Sequence, residues 1–448
     1  MDTHGWDIVS ACSQSKLNAL LKARLTKTPP TLSYDDGQGT TLDITFSPWQ
    51  ITAFGSNRAL TLDMPVKSGT LTNGNKFAEK PSVDLAGVTM AVRIQLDFID
   101  QAKGDASNLS FTFKAAATSA ADKTDGAVFV QQADVTGQLA KVDPSGNSAT
   151  VLHNHVADAL VHNAAKLEIP LSVVNLAPAG GAAWMKPVEK AHMFGTGPKK
   201  ANGAPGEGYL IVATMVRTLP AATRSLNFDE TLFDTQHDVF MLLNKDLFLA
   251  NVIQPNLPAA FKDSSAVNFQ MMGDSIAGVG VLICPEVDHM GTGYDPFLTR
   301  LTISIDDDRL KSTAVGFFHI TGLTHSSVTF NFTQYATCRY DSATQSIAFD
   351  KAQSPDPDYE KHIPWYLYAV ASVALPFLGL IVGGIILAVV DVVIAAVTTG
   401  VASTIGKSSK TSGIASLSNI AVTWPGSTET KIAESGLSDG FYMRGDLS

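Results

Sequence analysis

The sequence predicts an α+β fold dominated by antiparallel strands, in which long curved sheets wrap around long apolar helices. Three observations lead to this prediction. Several segments alternate strictly between apolar and polar residues, the period of strands with one dry face. The stretch 363–390 runs for 28 residues without a formal charge. The regular succession of buried strands and helices that marks a parallel α/β protein is missing.

The first predicted element is an amphipathic helix over residues 13–25. Its leucines recur at helical spacing and share one face: Leu17, Leu20, Leu21 and Leu25. Ser13 or Ser15 can cap its N-terminus, and Thr28-Pro29-Pro30 ends it. Helical spacing also predicts helices over His155–Leu167 and Asp238–Val252.

The strand prediction depends most on Val88–Phe98, where six apolar residues alternate with polar or small ones over eleven positions. The same alternation recurs in five shorter segments: 42–46, 60–64, 109–113, 301–305 and 328–332. Such strands have one face toward a core and one toward water. A break near 177–181 divides the chain into a β-rich half with amphipathic helices (1–176) and a β-rich half with the apolar helix (177–448). We expect one elongated unit.

The apolar segment 364–405 allows two interpretations. It is long enough to span a bilayer. However, Asp391 interrupts it, and a charge in lipid costs about 3 kcal/mol or more; its flanks also lack a clear excess of basic residues on one side. The dry face of a curved sheet can surround such a helix instead of lipid. We predict the wrapped helix, with Asp391 at an end of the tube or a break in the helix, close to hydroxyls or backbone N–H groups, and keep membrane insertion as the alternative.

Composition excludes one class of partner. The formal net charge is −10 and only 17% of residues are charged, so the surface offers no electrostatic basis for nucleic-acid binding. The opening residues carry Asp2 and Asp7 and no apolar core of a signal peptide. We therefore expect synthesis in the cytoplasm and, if the protein is released, a route other than Sec.

Motifs that suggest chemistry have simpler interpretations. Gly273-Asp274-Ser275 resembles an esterase nucleophile block, but it lies in mid-chain with no DxxH downstream, so we predict a turn. His155 and His162, with Asp158 between them, predict a polar helix face more than a metal site. Asp306-Asp307-Asp308 lacks the spacing of a calcium loop and predicts a solvated turn. We expect no enzyme activity, no metal and no cofactor.

Five pieces of the chain resemble the family of 47-kDa and OrfX proteins encoded in clostridial neurotoxin gene clusters. They are THGWDIVSACSQSKLNALL (3–21), KLEIPLSVVNL (166–176), FLANVIQPNLPAAF (248–261), IPWYLYAV (363–370) and VTWPG (422–426). The resemblance implies a tubular lipid-binding (TULIP) fold, in which curved sheet wraps a long helix and lipid tails lie in the groove between them. It also implies no catalysis, a role beside a secreted bacterial toxin as a virulence factor, and partner proteins from an OrfX-like or toxin operon.

The expected ligand is a lipid or a fatty-acid-like molecule. The helix and the longest strand supply the candidate groove residues: Leu367, Val370, Phe377, Leu380, Ile381, Val92, Ile94 and Leu96. A narrow apolar gap between them would suit an acyl chain. Two alternatives stay open, a protein that inserts 364–405 into membranes and a purely structural interaction subunit whose interior is filled by its own side chains.

Overall fold

The computed structural model describes most of the chain. Residues outside the description are 56–57, 75–81, 123, 179, 200–201, 220–223, 227, 229, 234–235, 290, 322–324, 342–345, 363–383, 393–420 and 429. The described fold is mostly β, with sheet curled into a half-barrel.

The described α-helices are α1 (Gln14–Lys27), α2 (Gln138–Val142), α3 (Asn147–His162), α4 (Lys245–Phe248) and α5 (384–392). A π-helical turn, Leu249–Ile253, continues α4 directly. Short 3₁₀ turns lie at Ala164–Lys166, Gly180–Met185, Glu230–Leu232, Gln254–Ala260 and Ala266–Asn268.

The strands of the first half are β1 (Ile8–Ser13), β2 (Thr31–Asp35), β3 (Thr41–Phe46), β4 (Gln50–Phe54), β5 (Ala59–Thr72), β6 (Ser82–Asp84), β7 (Thr89–Asp100), β8 (Ala106–Thr112), β9 (Ala115–Ala116), β10 (Ala127–Gln132) and β11 (Pro170–Asn175). Those of the second half are β12 (Glu189–Thr196), β13 (Gly208–Met215), β14 (Val239–Asn244), β15 (Phe269–Met272), β16 (Ser275–Gly278), β17 (Leu282–Ile283), β18 (Val287–His289), β19 (Thr292–Tyr294), β20 (Phe297–Asp306), β21 (Arg309–His319), β22 (Ser327–Asp341), β23 (Ser346–Lys351), β24 (Asp358–His362), β25 (Val422–Thr423), β26 (Thr430–Leu437) and β27 (Gly440–Leu447).

These strands form three large sheets and one ribbon. The six-stranded sheet has the order β12-β13-β1-β14-β27-β26, so a strand of the first half lies among strands of the second. The eleven-stranded sheet follows β2-β3-β5-β7-β8-β11-β25, with β4, β6, β9 and β10 attached at its sides. The eight-stranded sheet follows β15-β16-β20-β21-β22-β23, with β17 on β20 and β24 on β22, and β18 pairs with β19. The division at residue 176 stays a prediction.

The inner strands of the six-stranded sheet, β1, β13 and β14, are buried on both faces. All six residues of β1 are buried: Ile8 and Cys12 belong to the main apolar core, whereas Val9 and Ala11 belong to a second core on the opposite face. Segments before and after the strands cover this second core, including Trp6 and Phe233. The sheet is therefore a central layer.

The long strands β7 and β21 of the other two large sheets bury one face. In β7 the residues alternate between buried and half-buried from Thr89 to Leu96, and β21 repeats the pattern. α3 packs on β2, β9 and β10 of the eleven-stranded sheet, and α1 packs on β1, β4 and β13. The alternating segments predicted from the sequence are all strands, β3, β5, β7, β8, β20 and β22.

The helix predicted over residues 13–25 is confirmed as α1. The Ser13 hydroxyl accepts a hydrogen bond from the Lys16 backbone N–H at 3.3 Å, and the Thr28 N–H donates to the Arg24 carbonyl at 3.1 Å. Its four leucines are buried. The helix predicted over His155–Leu167 exists as α3, which begins earlier and ends at His162.

The helix predicted over Asp238–Val252 is wrong for its first half. Residues Val239–Asn244 form strand β14, which lies between β1 and β27. Because both faces of β14 are buried, its sequence is a continuous apolar run with no alternation, and such a run does not distinguish a strand from a buried helix. The helical part begins only after Asn244.

The long apolar helices of the prediction are not supported, since sheet faces supply most of the described core. Most of 364–405 lies outside the described residues; its described part is α5, which buries Ile385, Ile386, Val389 and Val390 in the main core. Asp391 is exposed and pairs with Lys351 of β23, so its described partner is an ammonium group and not the hydroxyls or backbone N–H groups of the prediction. Of the helices described here, none has the length and apolar character needed to cross a membrane.

Candidate functional site

A cavity of about 380 Å³ opens where β13, α4 and the β15–β16 hairpin meet. We name it the Arg217 pocket and define it by its lining residues: Trp184, Val216, Arg217, Asp246, Leu247, Ala250, Asn251, Met271 and Gly273. A second, more polar cavity of about 240 Å³ lies beside Ser13, Glu207 and His237. The Arg217 pocket is the larger of the two and the more apolar.

The antiparallel pairing of β1 with β13 brings Asp7 and Arg217 together. Ile8 pairs with Thr214, so the residue before β1 lies beside the residues that follow β13. Asp7 is fully buried. Its Oδ1 accepts hydrogen bonds from Arg217 Nε at 3.0 Å and Nη2 at 2.6 Å, and its Oδ2 accepts from the backbone N–H groups of Val216 and Arg217 at 2.9 and 3.0 Å. This network fixes the guanidinium at the pocket wall.

Asp246 lies on the other side of the same guanidinium. Asn244 caps α4 by accepting a hydrogen bond from the Asp246 backbone N–H at 2.9 Å. This turn places Asp246 Oδ2 at 3.6 Å from Arg217 Nη1. Partial burial opposes the charge on Arg217, but Asp7 and Asp246 outweigh it and raise the pKa of the guanidinium above its usual value. One cation thus faces two carboxylates.

The far wall is an irregular helix. α4 widens into the π-helical turn Leu249–Ile253 and then tightens into the 3₁₀ turn Gln254–Ala260. Pro255 has no backbone N–H to donate, which disfavours a regular continuation of α4. Within the π turn, Ala250 and Asn251 line the pocket, and Asn251 Nδ2 donates to the Leu247 carbonyl at 3.1 Å. π-helical turns inside helices are frequent at functional sites.

The groove residues predicted from the sequence are only partly described. Val92, Ile94 and Leu96 are buried on the core face of β7, at 0%, 0% and 2% exposure, and they do not line the Arg217 pocket. The other five lie outside the described residues: Leu367, Val370, Phe377, Leu380 and Ile381. The predicted groove therefore stays a prediction.

The two motifs interpreted as turns, Gly273-Asp274-Ser275 and Asp306-Asp307-Asp308, lie at turns between paired strands. Gly273 and Asp274 form the turn between β15 and β16, with Gly273 at φ +65°, and Ser275 Oγ donates to the Met272 carbonyl at 3.0 Å. Asp307 is at φ +60° in the turn between β20 and β21. The rings of His155 and His162 lie 6.3 and 6.0 Å from the ring of Tyr34. Among the residues that the structure describes, no group of three His, Cys, Asp or Glu side chains is placed to hold a metal.

Sequence reasoning missed Asp7, Arg217 and Asp246. A signal for Asp7 was present: it is the acid within Trp6-Asp7-Ile8-Val9, and an acid directly before a buried strand needs a buried partner. Nothing local marks Arg217 or Asp246, because their meeting depends on the register of β1 with β13 and on the cap at Asn244. Of the five quoted pieces, 248–261 supplies lining residues of the pocket, Ala250 and Asn251, and 3–21 supplies Asp7, which binds Arg217.

Comparisons with known proteins agree with this fold. A family model described as OrfX-like, Protein OrfX2/OrfX3/P47, matches residues 3–419. Protein P47 of Clostridium botulinum (strain Kyoto / Type A2) is 21% identical over 372 residues, which are 81% of this chain and 84% of that protein. The structure of P47 from Clostridium botulinum A2 superposes with a TM-score of 0.74 at 20% identity, covering 100% of this chain and 98% of the other.

The crystal structure of P47 of Clostridium botulinum E1 gives a TM-score of 0.73 at 18% identity, with both chains covered completely. At such identities the structural likeness concerns the fold. The family model spans nearly the whole sequence, and on that ground the chain belongs to the OrfX-like family of OrfX2, OrfX3 and P47 proteins.

Proposed function

We propose that this protein is a non-enzymatic binding protein of a toxin-type operon, and that its ligand is a lipid or another molecule with an apolar chain. The Arg217 pocket is the observation that carries the proposal. Its volume of about 380 Å³ lies within the range of roughly 300–1,000 Å³ that is typical of small-molecule sites. Most of its lining side chains are apolar: Trp184, Val216, Leu247, Ala250 and Met271.

The energetics of burial favour a chain-like ligand. Each CH₂ group that leaves water contributes about 0.8 kcal/mol, so a short alkyl segment in contact with Leu247 and Met271 gains useful affinity without a covalent anchor. The pocket lies beyond the ends of β13 and β14 in the six-stranded sheet, next to the β15–β16 turn.

The proposal also includes a tubular lipid-binding arrangement, in which curved sheet wraps the segment 364–405. α5 buries Ile386 and Val389 in the same apolar cluster that contains Val92 and Ile94 of β7. This is the relation expected if curved sheet wraps the segment 364–405 and lipid tails lie along Leu367–Ile381. The accessory role beside a toxin is proposed from membership of the OrfX-like family.

The test begins with two samples of the purified protein. One is extracted with organic solvent to detect retained lipid, and the other is measured by native mass spectrometry. Decanoate and fluorescent phospholipid are then titrated into wild type and into Ala250→Trp, which fills the pocket. Val267→Trp is the matched control, because Val267 is 74% exposed and outside the pocket. We expect binding by wild type and the control and at least tenfold weaker binding by Ala250→Trp. No retained lipid and no binding by any variant would refute the proposal.

A second candidate function is that of an interaction subunit. Four exposed apolar residues occur within fifteen positions around the edge of the eight-stranded sheet: Val267, Met272, Val279 and Val281, at 74%, 64%, 41% and 55% exposure. β15 is the edge strand there, and an apolar edge strand is a common docking surface for other proteins. Co-expression with neighbouring operon products tests this: Val267→Lys with Val281→Lys should abolish the complex and leave ligand binding unchanged.

A further inference from the structure

We infer that the Arg217 pocket selects a ligand whose apolar chain carries an ammonium head group. The inference rests on the proposed function, since it assumes that the pocket takes an apolar chain, and it adds the charge of the head. The balance of hydrogen-bond donors and acceptors around the cavity points to this chemistry.

The arginine of the pocket is poorly placed to bind an anion. Its Nε and Nη2 donate to Asp7, and Nη2 also reaches Asn244 Oδ1 at 3.5 Å. The remaining nitrogen, Nη1, faces Asp246 at 3.6 Å. An anionic head would compete with two carboxylates for one guanidinium and would be repelled by both.

The free capacity of the pocket consists of acceptors. The Asp246 carboxylate lines the pocket, its side chain is 35% exposed, and its ion pair with Arg217 is 3.6 Å long, longer than the contact of Arg217 with Asp7. Asn251 uses its amide nitrogen to donate to Leu247, which leaves its amide oxygen to accept. An ammonium group on a ligand would supply the positive charge that the second carboxylate of the pocket lacks.

The neighbouring lysine does not neutralise this side of the pocket. Lys245 precedes Asp246, but its Nζ pairs with Asp274 at 3.2 Å, on the hairpin turn. Trp184 completes the wall. An indole face attracts cations, most strongly when water is excluded, and the same ring packs against alkyl carbon. Carboxylate, amide oxygen and indole together form a site of the kind that recognises alkylammonium groups.

Two sources share this chemistry, the choline or ethanolamine head of a lipid and a free long-chain amine. Decyltrimethylammonium and decanoate, both below their micelle concentrations, have chains of similar length and opposite head charges. Vesicles of phosphatidylcholine, compared with phosphatidylglycerol, test the lipid head itself. Binding to decyltrimethylammonium but to neither vesicle would assign the site to a free amine.

Calorimetric titration of the full chain is the deciding experiment. We expect wild type to bind decyltrimethylammonium at least tenfold more tightly than decanoate, about 1.4 kcal/mol. Asp246→Asn keeps the shape and should reduce this ratio to near one. Asp263→Asn is the matched control, because it removes an exposed carboxylate outside the pocket and should leave the ratio unchanged. If Asp246→Asn does not fold, Trp184→Leu should weaken the ammonium ligand more than decanoate.

The outcomes separate the two proposals. Equal affinity of wild type for decyltrimethylammonium and decanoate would overturn the ammonium inference and leave the apolar-ligand proposal standing. An unchanged ratio of these two affinities in Asp246→Asn would do the same. If neither decyltrimethylammonium nor decanoate binds wild type, both the ammonium inference and the apolar-ligand proposal are overturned.

Discussion

β14 in the six-stranded sheet and β20 in the eight-stranded sheet differ in how many faces they bury. Adjacent Leu242 and Leu243 of β14 are both fully buried, in opposite cores. In β20, Ile303 is buried but Thr302 is half-exposed. A strand with two dry faces loses the alternation that identifies strands in a sequence, and its polar contacts move to its ends. Asp7 at the start of β1 is the clearest case.

The largest expected effect on stability comes from breaking the contact between Asp7 and Arg217 beside the start of β1. Asp7→Ala leaves Arg217 and two backbone N–H groups of a buried network without their acceptor, and we expect it to lower the free energy of unfolding by about 3–5 kcal/mol. Asp306→Asn is the comparison in the eight-stranded sheet, where the pair with Lys311 is 3.7 Å long and about half exposed. It should cost less than about 1 kcal/mol. Denaturant unfolding followed by circular dichroism measures both.

Similar losses for Asp7→Ala and Asp306→Asn would mean that the buried pair contributes no more than a surface pair. Arg217→Met is the complementary control: it removes the charge but leaves the carboxylate buried, so it should be as damaging as Asp7→Ala.

Truncation of neighbouring residues tests the faces directly. Leu242→Ala and Leu243→Ala should each cost about 2–5 kcal/mol, because each leaves a cavity in a different core. In β20 only Ile303→Ala should reach that range, whereas Thr302→Ala should stay within about 0.5 kcal/mol. The measurement is the midpoint and slope of urea unfolding for the four variants. A small effect of Leu242→Ala would show that the second core is not tightly packed.

The same contrast explains how far the sequence predicts the fold. The period of two in β7, β20 and β22 and the leucine face of α1 follow from local residues alone. The strand β14 could not be identified because its burial on both sides is a property of the assembled sheet. The sheet order, in which β1 separates β13 from β14, is likewise set by contacts between distant parts of the chain.

His192 of the six-stranded sheet contacts the eleven-stranded sheet, and its burial leads us to predict a pH effect on stability. It lies on β12 at the edge of the six-stranded sheet, 2% exposed, and its ring meets Phe98 of β7 edge-on at 5.6 Å. Burial, with a contribution from Arg58, lowers its pKa from 6.5 to about 4, and Asp97 opposes the shift. Neither ring nitrogen has a hydrogen-bond partner in the described part of the chain.

The unfolded state therefore binds more protons between pH 6.5 and about 4. The contribution of neutral His192 to the free energy of unfolding is fully present above this pH window. It is lost as the pH falls through the window, by up to roughly 3 kcal/mol. His192→Phe should remove that part of the pH dependence. The check is the free energy of unfolding of wild type and His192→Phe at several pH values from 4 to 8. Parallel curves for the two proteins would assign the pH dependence to other groups.

The candidate site was less predictable than the fold. The prediction of an apolar groove used residues such as Val92 and Ile94, which the structure places inside a core. The Arg217 pocket depends on a helix cap, a π-helical turn and a strand register, none of which has a reliable local signature. The one residue of its network that the sequence could have indicated is Asp7, an acid directly before a buried strand.

The smallest expected effects are on the outer face of α5. Leu387 is 56% exposed and Asp391 lies one turn further on the same face, 61% exposed and paired with Lys351. Leu387→Gln and Asp391→Asn should each change the free energy of unfolding by less than about 1 kcal/mol. Ile386→Ala, on the buried face, should cost about 2–5 kcal/mol. If Leu387→Gln also costs 2 kcal/mol or more in denaturant unfolding, the outer face of α5 must pack on apolar material in solution, and α5 would then resemble β14, with two dry faces, more than β20.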